Sequence, residues 1–255
     1  MENKQELISI IMPAWNAAKT IEDSIQSALD QTWKNLEVLV IDDGSSDDTV
    51  GIVEKMAEKD SRVRLLKNPK NQGVCQTRYN GLQQARGNWI ALLDSDDLWA
   101  PEKLEEQMKL QKKSHAELIF TGSAFIDAEG KPFEWILKVP ETVTYRQLLK
   151  RNVISNSSVL IRKDLYKRYF SMDESLHEDY ACWLAYLKDG HKAAAVQKPL
   201  LIYRFAANTR SGNKFKAVKM NWKNYQAEKL NPVYSAWNLG WVLLYGVYKQ
   251  KKLTR

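Results

Sequence analysis

The sequence predicts an α/β fold: a mostly parallel central sheet flanked by helices, followed by a C-terminal helical extension. Three observations predict it. Strand-like runs alternate with helix-periodic segments four times between Leu7 and Leu93, the βαβ pattern of a parallel sheet. The last of those runs, from Trp89, is continuously apolar, as expected of a strand covered on both faces. Two of the runs end in clustered carboxylates, at Asp42-Asp43 and at Asp94, Asp96 and Asp97. In an open α/β sheet the carboxyl ends of the strands form the rim where ligands bind.

Length and composition bound the reading. A chain of 255 residues with 44% apolar side chains can fill the core of one large domain with an appendage. Cys75 and Cys182 lack metal-ligand spacing and fit a reducing compartment. The first residues carry no signal-peptide pattern, and no run reaches the roughly 18 uncharged apolar residues of a spanning helix. The expectation is therefore a cytoplasmic protein. A net charge of +7, weighted to the C-terminal quarter, points to an anionic partner.

Taken in order, Leu7–Met12 is a strand broken by Pro13, and Ala14-Trp15-Asn16 makes the first loop. Thr20 and Asp23 have capping-box spacing before a helix carrying Ile21, Ile25, Ala28 and Leu29. Leu36–Ile41 is the second strand, Thr49–Lys59 a helix and Val63–Leu66 a strand. Asn68–Gly73 is turn-rich, and the helix from Val74 to Ala85 is closed by Arg86-Gly87, with the glycine at a stop position. The strand beginning at Trp89 then delivers the second acidic cluster. One acidic loop is ordinary, since it can simply cap the next helix; two on one rim suggest a shared ligand. Clustered carboxylates repel unless a cation sits between them, and their oxygens suit Mg²⁺ or Mn²⁺.

Beyond Trp99 a helix is expected over Pro101–Lys113 and a strand over Leu118–Phe125. A hairpin turn at Asp127–Gly130 leads into Phe133–Trp135. A short helix over Thr144–Arg151, a strand over Ser157–Arg162 and a helical turn from Lys163 follow. The alternation loosens here, so mixed or antiparallel pairing is expected. His177–Leu187 reads as a helix with Glu178 and Asp179 in its first turn, where acids suit the helix dipole. Leu200–Phe205 is a last strand. His115, His177 and His191 form no ligand set and read as surface or structural.

The assembled pieces resemble glycosyltransferase family 2, with its Rossmann-like GT-A fold. They are Ile10–Asn16, Val40–Asp47, Asn71–Val74, Ala85–Asp97 and His177–Tyr180, in the family's order and spacing over roughly residues 7–205. The resemblance implies an inverting, metal-dependent transfer from a nucleotide-sugar, with UDP-sugars the first choice. The acceptor is then a glycan or lipid-linked glycan of the cell surface. It assigns Asp43 to the uracil or ribose, Asp94 and Asp96 to Mn²⁺ or Mg²⁺, Asp179 to the catalytic base and Glu178 to the acceptor. Donor contacts would come from Pro13, Ala14, Trp15, Asn16, Gly73, Arg78, Asp94, Ser95 and Asp96. Trp183, one helical turn after Asp179, is a candidate to stack on the acceptor sugar. Tyr203-Arg204 resembles a late family motif, but Phe205 and Ala206 replace the polar residue that usually follows it. Arg204, Arg210 and Lys214 are thus the candidate diphosphate contacts, with Ser211 beside them.

From about residue 209 the composition turns basic and aromatic, so a catalytic domain of 1–208 and an extension of 209–255 are expected. Phe215, Val218, Trp222 and Tyr225 share one helical face. Ala236–Tyr248 is an uncharged run of thirteen residues with an aromatic stripe, closed by Lys249, Lys251, Lys252 and Arg255. Such a segment either lies on an anionic membrane surface, making the protein peripheral on the inner face of the cytoplasmic membrane, or packs on the domain. A nucleic-acid-binding reading of the basic charge is disfavoured by acids on the ligand rim and by the lack of helix-turn-helix or zinc patterns. An aspartate-based phosphotransfer enzyme would carry its acidic motif after the first strand, where this chain has Met12-Pro13.

Overall fold

The computed structural model describes residues 5–205 and 214–253, with side chains in the second stretch described from Val218 onward. Its centre is a nine-stranded sheet among the described residues. The first half is β1 (Ile8–Ala14), α1 (Ile21–Leu29), β2 (Leu36–Asp42), α2 (Thr49–Lys59), β3 (Val63–Lys67), α3 (Val74–Gln84) and β4 (Trp89–Leu92). Strands β3, β2, β1 and β4 lie side by side and run parallel. The mostly apolar runs have a direct cause. Ile8, Ile10, Met12, Val38, Val40 and Ala91 face one buried cluster, while Ile11, Leu39, Ile41, Ile90 and Leu92 face another. With a side-chain period of two, a strand buried on both faces is apolar at nearly every position. The buried exceptions Ser9 and Glu37 satisfy each other, the Ser9 hydroxyl donating to the Glu37 carboxylate at 2.6 Å.

The second half is β5 (Leu98–Trp99), α4 (Lys103–Ser114), β6 (Leu118–Ile126), β7 (Thr142–Val143), α5 (Tyr145–Lys150), β8 (Leu160–Arg162), α6 (Lys163–Tyr169), α7 (Glu178–Lys188) and β9 (Ala193–Arg204). Antiparallel pairing enters here, as expected: β8 lies between β4 and β6 and opposes both, and β5 and β7 oppose β9. Only β6 and β9 pair parallel in this half. The turn after β6 is closed by bonds between Asp127 and Lys131 and between Asp127 and Gly130, and Phe133 bonds back to Phe125.

Four local expectations are corrected. Thr20 makes no capping bond at α1; its hydroxyl donates instead to the Ser95 carbonyl at 2.8 Å, beside Ser24 at 2.9 Å. The capping box is found at α5, where Thr144 and Gln147 bond reciprocally. Gly87 is needed for close packing rather than as a left-handed stop. A Cβ there would lie 2.4 Å from the carbonyl oxygen of Leu7, the residue before β1. The last strand begins at Ala193, seven residues before the expected Leu200, and the strand expected from Ser157 begins at Leu160 after a 3₁₀ turn at Asn156–Ser158.

The extension comprises α8 (Lys214–Ala227) and α9 (Pro232–Leu253), and it packs onto α5 and α7. Tyr225 is fully buried and donates to the Leu149 carbonyl at 2.7 Å. Glu228 accepts from Tyr145 at 3.0 Å and pairs with Lys188 at 2.9 Å. Arg151 donates to the Tyr245 hydroxyl at 2.9 Å and lies over its ring at 4.0 Å. No helix among the described residues is long and apolar enough to cross a membrane.

Candidate active site

The carboxyl ends of β1, β2 and β4 open into a cleft of about 730 Å³. Pro13, Ala14 and Trp15 line it from the loop after β1, and Asp43 from the loop after β2. Gly73 and Arg78 reach it from the start of α3, Asp94, Ser95 and Asp96 from the loop after β4, and Glu178 and Asp179 from the start of α7. Five separate segments of chain thus bring eleven of the predicted residues to one cavity. A second cavity of about 740 Å³ lies at the amino end of β4, beside Asn88 and Lys163, and neither acidic cluster reaches it.

Asp43 is 4% exposed and organises the wall beside it. Its carboxylate accepts from Asn68 at 2.8 Å and from the Gln72 and Gly73 amides at 2.9 Å each. Gly73 holds a φ of +84°, a left-handed value natural only to glycine, which lets its N–H turn onto that carboxylate. Asn16, also at positive φ, does not line the cleft. Its amide donates to Ser45 and its side-chain oxygen accepts from Ser46, tying the first loop to the second.

Arg78 is the structural surprise. Its guanidinium is buried and bridges two acids far apart in sequence, donating to Asp94 at 2.6 Å and to Glu178 at 2.5 Å. Burial opposes its charge, but the carboxylates of Asp94 and Glu178 overcome that and hold the guanidinium firmly protonated. Arg78 lines the cleft as expected of a donor contact and also ties the acidic loop to α7. Glu178, at 8% exposure, is correspondingly turned toward Arg78 and forms cleft floor. Asp179 stands beside it, half-buried, with Oδ1 accepting from its neighbour's Tyr180 amide. Burial, then the Glu178 charge, push its carboxyl above the usual aspartate range.

In the acidic loop, Asp96 is pushed up to about 6 by burial and by the adjacent Asp94 charge. Asp97 does not line the cleft. It is 1% exposed, one oxygen accepts from the Arg204 amide at 3.0 Å, the other has no hydrogen-bond partner, and burial pushes it well up. Arg204 lies behind the loop, where Nε donates to the Asp96 carbonyl at 3.0 Å and Nη1 to the Ala128 carbonyl at 3.2 Å. The guanidinium braces the loop through main-chain carbonyls, and Arg204 is not among the residues lining the cleft. Arg210 and Ser211 lie outside the described residues; Lys214 opens α8, and its side chain lies outside them too.

Trp183 is corrected outright. It is fully buried and stacks on Tyr166 at 6.1 Å, so it cannot meet an acceptor. One turn of helix carries the chain about 5.4 Å onward, which in α7 leads from the cleft down between α5 and α6. Several cleft residues were not among the expected site residues. His177, taken as structural, lines the cleft, as do Thr77, Asn156 and Tyr203. Asn156 lies 3.5 Å from Asp94, and neighbouring Ser157 accepts the Asp94 amide at 3.1 Å. Two of these four carried a signal: the histidine is adjacent to Glu178, and Tyr203 belongs to the Tyr203-Arg204 motif. His191 is structural as expected, stacked on Tyr186 at 4.9 Å.

Residues 9–170 match the sequence profile of Glycosyl transferase family 2. TuaG of Bacillus subtilis, provisionally named as a teichuronic acid biosynthesis glycosyltransferase, is 33% identical over 93% of this chain and 94% of its own. WfgD of Escherichia coli, named as a UDP-Glc:α-D-GlcNAc-diphosphoundecaprenol β-1,3-glucosyltransferase, is 37% identical over 85% of this chain and 84% of its own. Among solved structures, Staphylococcus aureus TarS bound to UDP-GlcNAc superposes with a TM-score of 0.69 at 22% identity, over 92% of this chain and 70% of that one. The mannosyltransferase PcManGT of Pyrobaculum calidifontis, bound to GDP-Man and Mn²⁺, gives 0.67 at 16% identity, over 90% and 66%. At those identities the likeness is one of fold, the GT-A arrangement.

Proposed function

Since the chain belongs to glycosyltransferase family 2, we propose that it moves a sugar from a UDP-sugar to a hydroxyl of a glycan or lipid-linked glycan, inverting the anomeric carbon, in cell-surface polysaccharide synthesis. One observation carries the reading: Asp43, the acidic loop at Asp94–Asp96 and Asp179 share a single cleft although they come from three distant segments. The names of TuaG and WfgD support the cell-surface setting and a lipid-diphosphate acceptor.

The donor set fits a hard divalent cation. Asp96 holds a half-buried carboxylate next to the Asp94 carboxylate, the nearby Arg204 guanidinium being bonded to main-chain carbonyls. Among the described residues no three acids, histidines or cysteines converge as a complete ligand shell. Such a shell is not required, because Mg²⁺-type sites use one or two carboxylates and complete themselves with water and substrate phosphates. Asp96, with Asp94, would hold Mn²⁺ or Mg²⁺, which would neutralise the departing diphosphate as a Lewis acid.

The chain's own residues supply the rest. Asp43 and the amides it orders receive the nucleoside, and Trp15, 58% exposed at the rim, gives it an apolar wall. An acceptor hydroxyl is a poor nucleophile and needs a carboxylate within reach to take its proton. Asp179 takes that proton. The raised pKa makes it a stronger base than an ordinary aspartate, and Arg78, holding Asp94 and Glu178, fixes its position relative to the acidic loop. A single base opposite the leaving group gives direct displacement with inversion.

In this reading residues 1–208 are catalytic and 209–255 an extension, with the protein held peripherally at the inner face of the cytoplasmic membrane. A donor screen by nucleotide release, across UDP-, GDP- and dTDP-sugars with and without Mn²⁺, tests it. Release from UDP-sugars that depends on Mn²⁺ supports the proposal; metal-independent release, or preference for another nucleotide, overturns its donor and cofactor assignments.

A further inference from the structure

The outer face of α9 takes no part in the chemistry above, and its composition is unusual for a surface. The helix packs inward through Ser235, Asn238 and Leu253. Opposite them Val233, Trp237, Trp241, Leu244 and Tyr248 are all exposed, the two tryptophans at 62% and 47%. Their spacing of three or four residues makes one stripe, about 22 Å long at the helical rise. Trp237 and Trp241 pack edge to face at 6.4 Å. Contiguous apolar surface of this kind marks an interaction site.

Charge selects the partner. Residues 214–255 hold nine lysines and arginines against one acid, Glu228, more than accounting for the chain's net +7. That one acid is already paired with Lys188. Lys251 and Lys252 are exposed at the end of the stripe, and α9 itself contains no carboxylate. A second copy of this face would bring like charge against it; anionic headgroups bring the opposite sign. Aromatic and leucine side chains beside lysines are what an interfacial helix uses.

The stripe is also tied to the cleft. Tyr203 lines the cleft wall, and a chain of ring contacts leads from it to Phe125 at 5.7 Å, from Phe125 to Trp135 at 5.1 Å and from Trp135 to Tyr248 at 6.4 Å. Lys249 of α9 lies over the Phe125 and Tyr203 rings. We propose that the outer face of α9 docks on an anionic phospholipid bilayer, seated by Trp237, Trp241, Leu244 and Tyr248 and held by Lys251 and Lys252. The inference builds on the lipid-linked acceptor proposed above and supplies the surface by which the cleft meets it.

The test uses the full chain sedimented with vesicles of phosphatidylcholine, alone or mixed with phosphatidylglycerol, at low and high salt. The wild type should partition onto the anionic vesicles, and salt should weaken it. Lys251→Gln with Lys252→Gln should lower that partition roughly 30-fold, about fivefold per lysine. Trp237→Ser with Trp241→Ser should lower it by about tenfold or more. Both variants change exposed side chains, so thermal midpoint and UDP binding should match wild type. UDP binding also separates this inference from the sugar-transfer reading, since loss of one leaves the other intact. Wild type that ignores anionic vesicles, or variants that bind them as well as wild type, would overturn the proposal. So would a dimer abolished by the tryptophan changes in the absence of vesicle binding, which would assign the face to a second copy.

Discussion

Replacing Arg78 by methionine tests the least expected feature of the cleft. The guanidinium is 6% exposed and spans Asp94 and Glu178, whose side chains are 33% and 10% exposed. Removing one partner of a buried pair leaves an uncompensated charge and costs about 3–5 kcal/mol. Water screens the Asp94 contact, so most of the loss should come from Glu178, and the total should lie near the lower end, about 3 kcal/mol. Adding Glu178→Gln removes the stranded charge, and the double variant should regain most of that stability. Turnover should not return with it, because Asp94 and the start of α7 stay uncoupled; a loss of at least about tenfold is expected, some 1.4 kcal/mol of barrier. Urea unfolding followed by tryptophan fluorescence gives the first quantity, and nucleotide release the second. A single variant less than about 1 kcal/mol down, the size of a typical surface pair, would refute the bridging role. So would a double variant no more stable than Arg78→Met.

Two further predictions concern the acids. Asp96→Asn should leave the fold intact but abolish the enhancement of UDP binding by Mn²⁺, measured by calorimetry; equal enhancement in the variant would exclude Asp96 as a ligand. Asp179 must be deprotonated to accept a proton, and burial and Glu178 raise its pKa, so activity is retained above that raised value and lost as pH falls through it. The acid limb of kcat/KM should therefore lie above the ordinary aspartate value of about 3.9. A limb at or below that value would remove Asp179 from the base role.

Much of this was legible in the sequence because its cause is local. A strand buried on both faces announces itself as a largely apolar run, and β1, β2 and β4 were found that way, with Ser9 and Glu37 as polar interruptions in the first two. The acids following β2 and β4 then had to share a rim, since parallel strands end on the same side. What stayed hidden was decided by distant partners. Nothing near Arg78 shows that its guanidinium meets Glu178, a hundred residues on. Thr20 has a cap's spacing, yet its hydroxyl is drawn to Ser95, 75 residues away. Trp183 sits at the right interval from Asp179, but α6 and α5 cover that side of α7 and claim it for the core. The first half of β9 is Ala193-Ala194-Ala195-Val196, weak in strand propensity, and forms because β6 offers a parallel edge. The C-terminal helices were expected either to pack on the domain or to face a membrane. In the structure one side of α9 packs, and the other carries the exposed stripe.

The proposed role of Asp179 is to take the acceptor's proton across a cleft whose opposite side binds the nucleotide. It is tested most directly by turnover of Asp179→Asn, measured as UDP release with the lipid-linked acceptor, alongside its affinity for UDP. A general base of this kind contributes about 10²–10⁴-fold, so turnover should fall by that factor while UDP affinity stays at the wild-type value. Near-normal turnover in the asparagine variant would contradict the account.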